Sequence, residues 1–241
     1  MIDLTQIRYP AFDKPEICRV LFYPRRERAG PQGVGPERLM IALENDVAVG
    51  GRFHLSGQES PTILFFHGNG EIAADYDDIG TIYRGMGINF LPVDYRGYGL
   101  SSGNPTVTAM MRDSHRIFGF ASAWLIGRGF TGPLVVMGRS LGSAPALEIA
   151  FHNAERIAGL IIESGFARIL PLLSLLGIDD PELAEASGPQ NLEKIRRVRN
   201  PTLVIHAEYD QIIPVAEGKD LYEASGAVEK KFLEIPGADH N

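Results

Sequence analysis

Leu134-Val135-Val136-Met137-Gly138-Arg139-Ser140-Leu141-Gly142-Ser143-Ala144-Pro145-Ala146-Leu147-Glu148-Ile149-Ala150 reads as a strand, a tight turn and a helix in immediate succession. The first four residues form an apolar, β-branched-rich run of the kind that is buried on both faces of a sheet. The run after Gly142 carries three alanines with Leu147 and Ile149, and Pro145 lies inside its first turn, where a missing N–H costs nothing. The join has the spacing G-x-S-x-G, a sharp strand-to-helix turn that pushes a serine hydroxyl out of the backbone. Such a turn crowds the residues two positions before and after the serine, so glycine is expected at 138 and 142. Ser140 is therefore a candidate nucleophile; the plainer reading is a glycine-rich turn whose serine is incidental.

Working outward, short apolar runs alternate with longer segments of helical character. Strands are predicted over 38–43 and 47–55 as an opening pair, then at Thr62–Phe66, Ile88–Val93, Leu134–Met137, Leu160–Ile162, Leu203–Ile205 and Phe232–Ile235. Helices are predicted at about 75–85, 106–127, 141–153 and 215–225, each bounded by Gly or Pro. This alternation predicts an α/β fold with a mostly parallel sheet covered on both faces. Open parallel sheets place their chemistry at the carboxyl ends of the strands, which fall here near Phe66, Val93, Met137, Ile162, Ile205 and Ile235.

A serine nucleophile needs a base, an orienting acid and donors for an oxyanion, and the strand ends carry candidates for each. His67-Gly68-Asn69-Gly70 follows the strand Ile63–Phe66, and the backbone amides of Asn69 and Leu141 are the expected donors to a developing oxyanion. His67 is expected to brace that loop. Of six histidines, only His240 lies in a loop beyond the last strand, in Pro236-Gly237-Ala238-Asp239-His240-Asn241, and it completes the chain order Ser, Asp, His. The orienting acid is expected to be Asp210, in His206-Ala207-Glu208-Tyr209-Asp210-Gln211-Ile212-Ile213-Pro214; Glu163, one strand nearer the serine, is the rival.

These motifs, with Asp94-Tyr95-Arg96-Gly97-Tyr98-Gly99-Leu100-Ser101 after the fourth strand, resemble the α/β-hydrolase superfamily over nearly the whole chain from about residue 38. The H-G-N opening, the G-R-S-L-G turn and the H-x-x-x-D-x-x-I-P acid loop are similar to a small branch that includes depalmitoylating and lipid-hydrolysing abhydrolase-domain enzymes. The resemblance implies an eight-stranded sheet whose second strand is antiparallel, and hydrolysis of an ester, thioester or amide without a cofactor. It implies structural roles for Asp94 and Arg96, and a small lid at 165–200 within one domain spanning 1–241. In that lid, Ile169-Leu170-Pro171-Leu172-Leu173-Ser174-Leu175-Leu176 is read either as an acyl pocket or as a helix packed on the sheet. The resemblance also implies a helix after His240, whereas the sequence stops one residue later. A frayed His240 and an uncovered apolar strip on the sheet are therefore expected.

Composition narrows the classes. With 44% hydrophobic and 22% charged residues in 241, the chain can bury a sizeable core. A formal net charge of -7 and short, interrupted basic clusters (Arg25, Arg26, Arg28; Arg196, Arg197, Arg199) argue against nucleic acid as a partner. Cys18 is the lone cysteine, no Cys/His set has zinc spacing, and no run approaches the roughly 20 apolar residues of a membrane span. A signal-peptide pattern is absent, so a cytoplasmic location is expected. The expected activity is a serine hydrolase that cleaves a carboxylic ester or thioester of a small or acylated substrate through an acyl-enzyme intermediate. An amidase or peptidase with the same triad and a non-catalytic binding protein are the alternatives. An aspartate-nucleophile dehalogenase or epoxide hydrolase is disfavoured by Ser140. No cofactor or metal is implied, and oligomeric state leaves no trace.

Overall fold

The computed structural model describes residues 2–28, 35–44 and 46–241. Its strands are β1 Glu37–Glu44, β2 Val47–Phe53, β3 Thr62–Phe66, β4 Asn89–Val93, β5 Leu134–Arg139, β6 Gly159–Glu163, β7 Thr202–Ala207 and β8 Lys230–Ile235. The helices are α1 Pro15–Leu21, α2 Asp77–Gly85, α3 Val107–Gly127, α4 Ser143–His152, α5 Ile169–Leu175, α6 Asn191–Ile195 and α7 Val215–Ala224. One eight-stranded sheet runs in the order β1-β2-β4-β3-β5-β6-β7-β8. β2 is antiparallel to both of its neighbours, and every other pairing is parallel. The expected fold class and the reversed second strand are both present.

Alternation along the central strands separates two apolar layers. Leu64 and Phe66 of β3, Leu91 and Val93 of β4, and Leu160 and Ile162 of β6 join the larger core with side chains of α3, α4, α6 and α7. Ile63 and Phe65 point the other way and pack with Phe90, Met137 and Tyr83 of α2. On that second face a groove of about 470 Å³ is lined by Phe65, Tyr76, Ile79, Tyr83, Phe90 and Met137 together with the polar Glu71, Arg139 and Glu163.

The element boundaries differ from the sequence expectations mainly at their ends. The turn preceding α2 is a 3₁₀ segment, Ala73–Tyr76, and α3 begins one residue later than expected because Thr106 caps it, its side chain accepting from the Ala109 amide at 3.0 Å. α1 was not anticipated, although Pro15 at its first position and the spacing of Ile17 and Leu21 are helix signals. In the segment expected to be a lid, Glu185 accepts from the Ile169 and Leu170 amides at 2.8 and 3.0 Å and so caps α5. Ile169 and Leu173 are buried in the core, as a packed helix requires.

Behind the serine turn, α3, α4 and α6 meet at a buried carboxylate. Glu148 is 2% exposed; its Oε1 lies 3.0 Å from His115 Nε2 and 3.3 Å from His152 Nε2, and its Oε2 lies 2.6 Å from Lys194 Nζ. Burial pushes the Glu148 carboxyl up, but the two imidazoles and the lysine outweigh it and hold the group well below its ordinary 4.5. The folded value lies below the unfolded one, so the stability gained from this carboxylate is present above about pH 5 and is lost as pH falls. Glu148→Gln should leave Lys194 buried without its counter-ion and cost roughly 3–5 kcal/mol. Urea unfolding at pH 7 checks the loss, and repeating it at pH 4 should show a smaller difference between the two proteins.

Candidate active site

Ser140 has a φ of 51°, in the left-handed region that non-glycine residues rarely adopt. The turn is held there by its neighbours. A Cβ on Gly142 would lie 2.0 Å from the Phe66 carbonyl oxygen, and one on Gly138 would lie 2.1 Å from the Gly142 oxygen. Backbone therefore presses on backbone across β3, β5 and the start of α4, and the serine is carried at the junction.

Two further loops reach the same point. His240 Nε2 is 3.1 Å from Ser140 Oγ, and His240 Nδ1 is 2.7 Å from Asp210 Oδ2. The Asp210 Oδ1 accepts from the Ile212 and Ile213 amides at 3.0 and 2.7 Å, which fixes the carboxylate at the carboxyl end of β7. Burial pushes Asp210 up, yet the bonds from His206, His240 and Ile213 prevail and keep it well below the ordinary carboxylate range, so it stays ionised. With Nδ1–H donating to that carboxylate, Nε2 is left as the acceptor for the serine hydroxyl.

Glu163 does not reach the imidazole in this arrangement. It ends β6 with its Oε1 3.5 Å from Arg139 Nε. His206 is tied to the Ile213 carbonyl at 2.7 Å, and His67 is fully buried with Nδ1 2.8 Å from the Gly68 oxygen. Arg96 is held by Asp113 at 2.6 and 2.8 Å, and Asp94 accepts from the Ala73 amide at 2.8 Å, both structural contacts.

The expectation of a frayed His240 is overturned. The residue is 6% exposed and is bonded through both ring nitrogens and through its carbonyl, which accepts from Arg139. The loop leading to it is tied to the acid loop, with Tyr209 N donating to Ala238 O at 2.9 Å and Gly237 N to Glu208 Oε2 at 2.8 Å. Terminal residues fray when nothing holds them, and here loops from β5 and β7 do.

Ser140, His240, Asn69 and Leu141 line one cleft of about 350 Å³, whose apolar wall is made by Leu21, Leu172, Leu176 and Ile212. The apolar stripe at 169–176 serves both: Ile169, Leu172 and Leu173 belong to the core and Leu176 packs on it, while Leu172 and Leu176 also line the cleft. The Asn69 side chain is itself structural, its Oδ1 accepting from Tyr23 N at 2.7 Å and Tyr98 Oη at 2.8 Å. Leu21, Arg139 and Glu71 were not singled out from the sequence. Arg139 sat in view inside the serine turn, but nothing in its spacing indicates what it touches.

Among the described residues, His115, Glu148 and His152 form a set whose ligand atoms lie within 4.8 Å of one another. The Lys194 ammonium neutralises that carboxylate, so the set is an ion-pair network in this structure. No described helix is long and apolar enough to cross a membrane.

Comparison with known proteins gives concordant results. Residues 57–178, half of the chain, match the family model Hydrolase_4, described as serine aminopeptidase, S33. The chain is 31% identical to α/β hydrolase domain-containing protein 17B of Homo sapiens over 192 residues, covering 75% of this chain and 60% of that protein. It is 29% identical to protein bem46 of Schizosaccharomyces pombe over 195 residues, covering 77% of this chain and 63% of that protein. The chain thus spans less than two thirds of the length of these two relatives. Est1E from Butyrivibrio proteoclasticus with ferulic acid bound shares the fold with a TM-score of 0.70 at 17% identity, covering 84% of this chain and 90% of that one.

Gly142→Ala must push the turn off β3, at about 1–3 kcal/mol or more. For a chain of this size that corresponds to a fall in melting temperature of roughly 2–4 °C per kcal/mol, read by calorimetry.

Proposed function

The chain belongs to the Hydrolase_4 family of α/β-hydrolases, and from that membership and the geometry of the cleft we propose that it cleaves a carboxylic ester or thioester through an acyl-enzyme intermediate. The observation that carries the proposal is the chain of contacts Ser140 Oγ, His240 Nε2, His240 Nδ1, Asp210 Oδ2 at 3.1 and 2.7 Å, opening onto an apolar cleft.

In this reading Ser140 Oγ attacks the substrate carbonyl carbon while His240 Nε2 takes the hydroxyl proton. The oxyanion is met by the Asn69 and Leu141 amides. Collapse breaks the bond to the alcohol or thiol, which takes the proton from Nε2 and departs, and the acyl group stays bonded to Ser140 Oγ. Water then repeats the sequence: His240 removes its proton, the hydroxyl oxygen joins the acyl carbon, and the serine is released protonated. Asp210 stays ionised and holds the imidazole in the tautomer that both halves need. Segment 165–200 is read as a small lid that contributes Leu172 and Leu176 to the wall of the acyl site.

The family description names an aminopeptidase, which favours an amide as the second reading. An aminopeptidase must hold the substrate ammonium beside the scissile bond, and the carboxylate lining this cleft, Glu71, is already engaged by Arg139, by Tyr76 Oη at 2.5 Å and by the Gly68 amide at 2.6 Å. That occupancy and the apolar wall favour the ester.

Labelling with a fluorophosphonate, followed by p-nitrophenyl esters of increasing acyl length against aminoacyl p-nitroanilides, tests the proposal; anilide cleavage outpacing every ester would reverse the order of the two readings. Ser140→Ala should abolish labelling and lower kcat by about 10⁶ with the fold intact. A variant that keeps a tenth of the activity removes Ser140 from the mechanism. Asp210→Asn should cost about 10⁴ in kcat, because the imidazole loses its acceptor and favours the wrong tautomer. Glu163→Gln should cost far less, and a reversal of that order in steady-state kinetics would move the acid to Glu163.

A further inference from the structure

Arg139 occupies the variable position of the serine turn, where its side chain, 12% exposed, lies among the three parts of the candidate site. Its Nη2 donates to the carbonyl of His240 and its Nη1 to Glu71 Oε1, while Nε faces Glu163 at 3.5 Å. Glu71 in turn accepts from the Gly68 amide at 2.6 Å and from Tyr76 Oη at 2.5 Å. Gly68 is packed against this pair: a Cβ there would lie 3.0 Å from both Arg139 Nη1 and Glu71 Oε2. One guanidinium therefore bridges the turn that carries Ser140, the loop that carries Asn69, and the backbone of the histidine.

We propose that Arg139 is a positioning residue that holds His240 and the Asn69 loop in register with Ser140; this rests on the hydrolase reading of the site. The backbone ties between the last loop and the acid loop end at Ala238, and the Arg139 bond comes two residues later, at His240 itself. There a shift of about 1 Å costs on the order of 10² in rate. The contact set suits arginine specifically, because a planar fork presents five donors in fixed directions and an ammonium is a single compact charge. Lysine at 139 can neutralise Glu71 but cannot also reach the His240 carbonyl in the same geometry.

The test compares wild type, Arg139→Lys, Arg139→Ala and Ser140→Ala. The expected result for Arg139→Lys is a fall of about 10² in kcat and in the rate of fluorophosphonate labelling, with KM within about twofold and a melting temperature near wild type. The downfield proton NMR signal of His240 Nδ1–H, bonded to Asp210, should exchange faster with solvent in the lysine variant. Arg139→Ala should show the same changes more strongly if it folds; if it does not, the lysine variant decides. Wild-type labelling and unchanged Nδ1–H exchange in Arg139→Lys would overturn the proposal. So would a loss of activity that tracks melting temperature while the proton signal is unaltered, since that marks a purely structural role. The proton signal needs no substrate, so retained activity in Ser140→Ala would sink the hydrolase reading while the exchange measurement still decides the role of Arg139.

Discussion

The rest of the site depends on the approach of backbone to backbone at the serine turn. Gly142 lies so close to the Phe66 carbonyl, and Gly138 so close to Gly142, that no side chain fits between them. This contact locks the end of β5 to the end of β3 and to the start of α4, and it holds Ser140 at a φ of 51°. Strain of this kind persists only where the surrounding structure over-determines it. Here that structure is a sheet paired on both sides of β5, with the alanine-rich helix α4 buried behind.

With that turn fixed, the remaining parts are set by parallel strand register. β3, β5, β6 and β7 all run the same way, so the loops bearing Asn69, Ser140, Glu163 and Asp210 emerge at one edge. The two outer loops are then fastened to one another and to the turn. The acid loop ends on its own amides through Asp210, the histidine loop is tied to it near Ala238, and Arg139 takes the last step to His240.

Buried charge is compensated throughout this region, which a low-dielectric interior requires. Asp210 accepts from two amides and an imidazole, Arg139 lies between Glu71 and Glu163, and Glu148 is flanked by two histidines and Lys194. Burial drives the Glu163 carboxyl up, against the pull of Arg139. The apolar wall of the cleft is drawn from distant parts of the chain: Leu21 from α1, Leu172 from α5, Leu176 just after it, and Ile212 from the loop that carries Asp210.

The sequence by itself determined the alternation of strands and helices, the position and strain of the serine turn, and the chain order of serine, aspartate and histidine. These are local properties: periodicity, glycine where no Cβ fits, and loops that follow apolar runs. It also left Asp210 and Glu163 as rivals, since both end strands on the same edge and only distance separates them. The tertiary structure places Asp210 2.7 Å from the imidazole and Glu163 against Arg139, which supports Asp210 as the acid in the proposed reading. It also decided the fate of His240, where the local rule for chain ends pointed to fraying and contacts from β5 and from the loop after β7 prevent it. The bridging place of Arg139 depends on Glu71 and His240, 68 and 101 positions away, and the cleft-facing part of the stripe at 169–176 shares its wall with residues as distant as Leu21. Their partners are contiguous only after the sheet has formed, so no local pattern could have recorded them.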